Sequence, residues 1–243
     1  MYCQNHKISG VGSQKLGSKT CPTDLVNMML SLQNEGAMNI NFVTGTHYRS
    51  HVISAVRKAR EQELIIPIVW NSSGYETAMS VSALSQTVDV WMPDFKYADG
   101  NLAAKMSANP KLANYPEVAM EAIATMLDFC GEPKFDTFTE NVRMTNGVLV
   151  RHMILPGHIK NSKDALSMLF AEFGNEIKYS IMNQYTPVIA KNSQTALDFP
   201  ELLGTVSHSE YDEVLNYADN LGIKNYYWQQ GPAASESFIP EFK

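Results

Sequence analysis

The sequence contains few cysteines, and they stand far apart. Three occur among 243 residues, at Cys3, Cys21 and Cys130. An odd number at such wide spacing predicts neither a disulfide framework nor a metal site held by paired cysteines. From the residues alone, the simplest interpretation is three free thiols in a reducing compartment.

The sequence also lacks long apolar runs and a surplus of basic residues. No run of about 20 apolar residues occurs, so no membrane-spanning helix is predicted. Lys and Arg number 19 against 25 Asp and Glu, so nucleic acid is not an expected partner, because phosphate binding requires clustered basic residues. No basic segment followed by an apolar one opens the sequence, so no signal peptide is predicted and a cytoplasmic location is expected.

Short apolar runs alternate with stretches of helical periodicity along the chain. The apolar runs predict strands over residues 39–43, 65–70, 88–92, 148–155 and 179–182. The periodic stretches predict helices from 20 or 22 to 36, and over 50–63, 76–84, 102–106, 116–129, 162–173 and 209–221. This order predicts a single α/β domain over residues 1–243, with a parallel sheet and outer helices. Residues 132–146 are predicted to form either a polar loop or a small excursion from the sheet, and Ser162 is a candidate cap of the helix that it begins.

Polar residues follow each of the five apolar runs. They stand at residues 44–48, 71–76, 93–97, 151–158 and 183–187. The carboxyl ends of parallel strands in a barrel meet on one face, so these residues are predicted to line one site. Each also has a purely structural explanation, such as a tight turn at Thr44-Gly45-Thr46, a helix cap at Asn71, a surface ion pair between Asp94 and Lys96, or a structural histidine at His152.

Several of these segments resemble blocks of a known bacterial family. Residues 36–48, 69–76, 88–97, 150–157, 182–187 and 229–242 are similar, in order, to blocks of a radical S-adenosylmethionine family related to the pyruvate formate-lyase activating enzymes. The segment Cys3-Gln4-Asn5-His6-Lys7-Ile8-Ser9 resembles the end of that family's C-x-x-x-C-x-x-C motif. The resemblance implies a partial (β/α)6 radical S-adenosylmethionine barrel, here expected to lack its first strand.

The resemblance implies two cofactors, a 4Fe–4S cluster and S-adenosylmethionine. Thiolates are the usual ligands of such clusters, and Cys3 resembles the third cluster cysteine. The other implied contacts are to S-adenosylmethionine: Thr44, Gly45 and Thr46 to the methionine amino group, Asn71, Ser73, Asp94 and Lys96 to ribose or carboxylate, Arg151 to carboxylate, and Gln184 and Tyr185 at the adenine. No residue is assigned a catalytic role, because the cofactor carries the radical chemistry.

The family motif places two further cysteines before Met1, so we expect Met1 not to be the natural start of a working enzyme. The resemblance also implies a reduced electron donor of flavodoxin or ferredoxin type, and a glycyl radical enzyme as one protein partner. Two other interpretations stay open. The chain is either a truncated paralogue without a cluster that binds a ligand or partner, or a hydrolase that uses Asp94, Lys96 and His152.

Overall fold

The computed structural model describes residues 19–229, so Cys3 and the similar segment around it lie outside the described residues. Helix α1 (Pro22–Asn34) begins after a capping box in which Cys21 is the N-cap residue. The Cys21 sulfur accepts a hydrogen bond from the Asp24 amide, and the Asp24 carboxylate accepts one from the Cys21 amide. Two orphan amides of the first turn are thereby satisfied, and the predicted start of this helix is confirmed.

The described chain alternates strands and helices in the predicted order. The strands are β1 (Ile40–Val43), β2 (Ile68–Ser72), β3 (Val90–Pro93), β4 (Lys134–Phe138), β5 (Asn141–Met153), β6 (Lys178–Met182) and β7 (Tyr227–Trp228). The remaining α-helices are α2 (Arg49–Arg60), α3 (Ala78–Leu84), α4 (Gly100–Met106), α5 (Tyr115–Cys130), α6 (Ile159–Phe173), α7 (Gln194–Asp198) and α8 (His208–Leu221). Short 3₁₀ turns cover Gly45–Tyr48, Pro110–Asn114 and Pro200–Leu203. Within residues 19–229, no helix combines the length and the apolar character needed to cross a bilayer.

The strands form one sheet in the order β1-β2-β3-β5-β6-β7, and every neighbouring pair in this order is parallel. Register is shared across the first three strands, where Phe42 pairs with Trp70 and Trp70 with Trp91. The α/β class and the parallel sheet with outer helices are therefore confirmed. Because all six strands run in one direction, the loops that follow them gather at one edge of the sheet.

The core explains why the strand sequences are continuous apolar runs. All five residues of β2 are buried, as expected for a strand covered on both faces. Trp70 and Trp91 are fully buried on adjacent strands. The helices contribute their apolar faces, which include Met29 of α1 and Val214 of α8. Burial on both sides of the sheet leaves its carboxyl edge as the place where polar side chains reach solvent.

The polar-loop alternative for residues 132–146 is wrong. These residues form the antiparallel β4–β5 hairpin, in which Asp136 pairs with Arg143. The Arg143 guanidinium donates two hydrogen bonds to the Asp136 carboxylate. Most of β4 is exposed, so the strand has no apolar run by which the sequence would show it.

Two further predictions at element ends are corrected. Ser162 does not cap α6, because that helix begins at Ile159 and Ser162 is buried within it. Strand β6 is not the last strand, because Tyr227 and Trp228 add a sixth parallel strand beside Ser180 and Ile181.

Candidate functional site

The loop after β1 is held against the end of β2. Thr44 adopts a left-handed conformation (φ 56°), and its amide donates to the Asn71 carbonyl at 2.8 Å. Gly45 packs on the indole of Trp70 so closely that a Cβ atom would lie 2.7 Å from the ring. Thr46 is exposed, and its hydroxyl donates to the Glu76 carboxylate at 3.0 Å. The loop thus has a defined shape although it lies at the surface.

The loop after β2 is joined to the loop after β3 through one tyrosine. The hydroxyl of Tyr115 lies 3.0 Å from the Ser73 carbonyl and 2.9 Å from the Asp94 carbonyl, and it accepts from the Lys96 amide. Burial raises the pKa of Tyr115, so its hydroxyl stays neutral and remains a donor. Ser73 itself is exposed. The predicted site residues on these two loops are therefore brought together.

A cluster of charged and amide groups lies at the ends of β2, β3 and β5. The Asp94 carboxylate is 2.6 Å from Nη2 of Arg151 and 3.1 Å from Nζ of Lys96. The same Arg151 nitrogen donates to the Asn71 side-chain oxygen at 2.8 Å. We call Asn71, Asp94, Lys96 and Arg151 the charged cluster. Asp94 is only 8% exposed, so its contact with Lys96 is not the surface ion pair that one interpretation expected.

The charged cluster carries one more positive than negative charge. Lys96 and Arg151 share the single carboxylate of Asp94, which holds the pKa of Lys96 above its usual value against the opposing effect of burial. Lys96 therefore stays charged at neutral pH. Nε of Arg151 is buried and lacks a hydrogen-bond partner in the described part of the chain. A surplus positive charge suits an anionic ligand group such as a carboxylate.

His152 is a structural residue. It is 1% exposed, its Nδ1 lies 2.7 Å from the Phe95 carbonyl, and its Nε2 lies 2.9 Å from the Ser162 hydroxyl. A carbonyl only accepts, so Nδ1 carries the proton and Ser162 donates to Nε2. Burial lowers the pKa of His152 and keeps the ring neutral. With both nitrogens engaged, His152 does not offer the base that the hydrolase interpretation required.

The end of β6 places Gln184 and Tyr185 next to each other but in different surroundings. Gln184 is partly exposed, whereas Tyr185 is buried and its hydroxyl donates to the Leu202 carbonyl at 2.7 Å. Burial raises the pKa of Tyr185 to about 12. Tyr185 thereby fixes the segment that follows β6 to the Pro200–Leu203 turn. The predicted contact of both residues with adenine stays a prediction.

The described residues contain no ligand set for a metal cluster. Between residues 19 and 229, no group of three or more His, Cys, Asp or Glu side chains is arranged to hold a metal ion. Cys21 caps α1, and Cys130 is the last residue of α5. Burial raises the pKa of Cys130 to about 11, which keeps it a thiol at neutral pH. Neither cysteine belongs to a group of potential metal ligands in this range, and Cys3 lies outside the described residues.

Glu76 is a residue of this face that sequence reasoning did not single out. It is 4% exposed, and its carboxylate accepts hydrogen bonds from Thr46, Trp70 and Ser80. Its position directly before Thr77, the N-cap of α3, made it resemble an ordinary helix-start residue. The usable signal was an acidic residue that immediately follows a polar strand end.

An α/β partial barrel with a polar carboxyl-end face defines the structural class of the protein. No family model matches the chain. The chain is 23% identical over 233 residues to an uncharacterized protein of Methanocaldococcus jannaschii, covering 93% of this chain and 60% of that protein. The chain thus spans about 60% of the length of this curated relative.

The fold is also found in solved structures of other proteins. One is a domain of a pyruvate-formate lyase-activating enzyme from Bacteroides vulgatus, with a TM-score of 0.52, 10% identity, and coverage of 80% of this chain and 98% of that domain. Another is a radical SAM methyltransferase from Sphaerobacter thermophilus, with a TM-score of 0.60, 14% identity, and coverage of 95% of this chain and 62% of that enzyme. The chain therefore has the α/β partial-barrel fold of radical S-adenosylmethionine enzymes.

Proposed function

We propose that the protein binds S-adenosylmethionine at the carboxyl-end face of its barrel and acts as a radical S-adenosylmethionine enzyme. The observation that carries this proposal is the charged cluster, in which two cations share one carboxylate and the Arg151 side chain is 25% exposed. The cluster stands where parallel barrels place their sites. Its surplus positive charge suits the carboxylate of the methionine moiety, and the planar guanidinium of Arg151 matches a carboxylate well.

The other predicted residues are assigned around this carboxylate contact. The loop of Thr44, Gly45 and Thr46 receives the methionine amino group, because the sheet order places that loop beside the Asn71 end of β2. Asn71 and Ser73 lie between the amino-group loop and the charged cluster, where they reach ribose or carboxylate. Gln184 and Tyr185, across the sheet at the end of β6, are assigned to the adenine.

The 4Fe–4S cluster in this proposal rests on the sequence resemblance. Cys3 is the proposed thiolate ligand, because it stands in the segment that resembles the cysteine motif of the family, whereas Cys21 and Cys130 stand at helix ends outside that segment. When bound, a reduced 4Fe–4S cluster supplies the electron that splits S-adenosylmethionine into methionine and a 5′-deoxyadenosyl radical. A reduced flavodoxin or ferredoxin is the proposed donor, and a glycyl radical enzyme is the proposed protein partner.

Formation of 5′-deoxyadenosine tests the enzymatic proposal. The full-length protein is reconstituted without oxygen using iron, sulfide and a reductant. We expect 5′-deoxyadenosine from S-adenosylmethionine, and a loss of about tenfold or more in Arg151→Met, since a hydrogen bond to a charged group contributes about 1.5–3 kcal/mol. The exposed pair of Lys160 and Asp164 supplies the control Lys160→Met, which should keep full activity. A protein shown to hold its cluster that yields no 5′-deoxyadenosine contradicts the proposal.

A second candidate function is a ligand-binding domain without a cluster. It rests on the same charged cluster, which suits an anionic ligand group whether or not a 4Fe–4S cluster is bound. Iron and sulfide analysis after reconstitution separates the two functions. Binding of S-adenosylhomocysteine by an iron-free protein that never produces 5′-deoxyadenosine is the result that this second function predicts.

A further inference from the structure

Glu76 holds a buried carboxylate beside the candidate site without a cationic partner among residues 19–229. Its Oε1 accepts from the Trp70 indole at 2.9 Å and from the Thr46 hydroxyl at 3.0 Å, and its Oε2 accepts from the Ser80 hydroxyl at 3.2 Å. All three donors are neutral. Burying a carboxylate costs free energy that neutral donors offset less fully than a cation does. The charge of Glu76 is therefore suited to a positively charged group that arrives from outside.

Thr46 connects this buried charge to solvent. A carboxylate only accepts, so the hydrogen of the Thr46 hydroxyl points toward Glu76. The lone pairs of the same hydroxyl oxygen then remain as acceptors, and Thr46 is exposed. The Thr44–Thr46 loop contains no acidic residue. Glu76, from the next strand end, thus gives an uncharged loop the character of an acceptor for a cation.

The face consequently has two poles of opposite sign. The negative pole consists of Glu76 and Thr46 at the ends of β1 and β2. The positive pole consists of Lys96 and Arg151 at the ends of β3 and β5, where one carboxylate is shared by two cations. Strand β2 lies between β1 and β3, so the poles are neighbours. A ligand with adjacent ammonium and carboxylate groups, as in an α-amino acid, complements this arrangement.

We propose that Glu76 is a positioning residue that fixes the Thr46 hydroxyl as the acceptor for the ammonium group of the ligand's amino-acid moiety. This inference rests on the proposed function, because S-adenosylmethionine carries that moiety. Glu76 acts through Thr46 and does not itself touch the ligand. The indole of Trp70, which donates to Glu76 and supports Gly45, keeps the carboxylate and the loop in one arrangement.

A cycle of protein and ligand changes tests the inference. The probes are S-adenosylhomocysteine and 5′-S-(3-carboxypropyl)-5′-thioadenosine, which differ only by the ammonium group, and binding is measured by calorimetry on the full chain. Wild type should bind the amine-bearing ligand with a Kd lower by about tenfold or more, because one hydrogen bond with a charged partner contributes that much to binding. Glu76→Gln keeps an oxygen for Trp70 and Thr46 but removes the charge, and should lose most of this preference. Its binding of the deaminated ligand should not change.

Two matched variants complete the test. Thr46→Val replaces an exposed side chain, so it keeps the fold even where Glu76→Gln does not, and it should abolish the preference for the amine. Lys96→Met should weaken both ligands equally and leave the preference intact. An undiminished preference for the amine in Glu76→Gln and Thr46→Val overturns the role of Glu76. Equal weakening of both ligands in these two variants overturns it as well. Neither result contradicts the proposed function. If wild type binds neither ligand, the proposed function is wrong and this inference is wrong with it.

Discussion

At the scale of single residues, Asp94 decides how the site is organised, because it is the one carboxylate that orients both Lys96 and Arg151. Asp94→Asn keeps an oxygen for one donor but leaves two like charges uncompensated. We expect it to weaken S-adenosylhomocysteine binding by about 1.5–3 kcal/mol, the value of a hydrogen bond to a charged group. Calorimetric titration measures this effect, with circular dichroism to verify the fold.

The matched control is Asp136→Asn in the β4–β5 hairpin, where Asp136 pairs with Arg143 at 2.8 Å and is 43% exposed. An exposed pair contributes at most about 1 kcal/mol to stability, and this one lies outside the strand-end loops. The control should therefore bind the ligand as wild type does. A loss below about 1 kcal/mol in Asp94→Asn would place Asp94 outside the site.

His152 predicts a pH dependence of stability whose sign follows from burial. Its pKa is lowered from 6.5 in the folded protein. Below pH 6.5, the unfolded chain therefore binds a proton at His152 that the folded chain does not bind. The free energy of unfolding therefore falls as pH drops below 6.5, by up to about 1.4 kcal/mol per pH unit. Above that pH the contribution is constant.

Urea unfolding between about pH 7.5 and pH 5.5 measures this effect, a window chosen to lie above the usual carboxyl titrations. His152→Asn keeps an N–H for the Phe95 carbonyl and has no titration, so its stability should change less over the same window. Equal pH slopes for the two proteins would show that folding does not lower the pKa of His152.

At the scale of elements, the contact between the loops after β2 and β3 requires a glycine. Gly74 has φ +77°, and a Cβ there would lie 2.1 Å from the Asp94 carbonyl oxygen. Gly36 has a similar φ of +87°, with nothing within 4 Å of its Cβ position. Gly36→Ala should cost only the left-handed backbone penalty of about 1–2 kcal/mol.

Gly74→Ala adds the clash with Asp94 to the same backbone penalty, so we expect a total cost of about 2–5 kcal/mol. It should also weaken ligand binding, because Asp94 must move. Chemical denaturation of both variants gives the comparison. Equal costs for the two substitutions would mean that the two loops are not in contact.

The burial of an element decides whether it can be recognised in the sequence. Strands β2 and β3 carry continuous apolar runs because both of their faces are covered, and such runs are visible without a structure. Strand β4 is exposed on most positions, and its pairing depends on Arg143, seven residues after Asp136. Helical periodicity likewise located α6 but not its first residue. Ser162 resembles an N-cap in the sequence, whereas in the structure its hydroxyl donates a hydrogen bond to His152.

The candidate site was predicted in location more fully than in contacts. The rule that parallel strands gather their carboxyl ends brought Asn71, Asp94 and Arg151 to one face, and the structure places them in one cluster. No sequence pattern states that Arg151, 57 residues after Asp94, shares its carboxylate, since that contact depends on the order of strands in the sheet. The hydrogen bond from Thr46 to Glu76 spans 30 residues and was hidden for the same reason.

At the scale of the whole molecule, one apolar core joins elements from both ends of the described chain. It runs from Val26 in α1 through Trp70 and Trp91 to Ile223 after α8. Because these elements share one core cluster, we expect residues 19–229 to unfold in one cooperative transition, as small single domains usually do. Tryptophan fluorescence, which reports Trp70 and Trp91, and far-ultraviolet circular dichroism should then give the same denaturant midpoint.

Trp228 is half-exposed on the last strand, so Trp228→Phe leaves only buried reporters and should not separate the two midpoints.

The loops of the charged cluster are anchored in this core through Trp70 and Tyr115, so ligand binding should stabilise the whole fold. At a ligand concentration of about 100 times Kd, S-adenosylhomocysteine should raise the free energy of unfolding by about 2.7 kcal/mol. Both probes should shift together, because a site built on the shared core cannot be stabilised alone. A shift seen by fluorescence and not by dichroism would show two folding units and contradict the single-domain prediction.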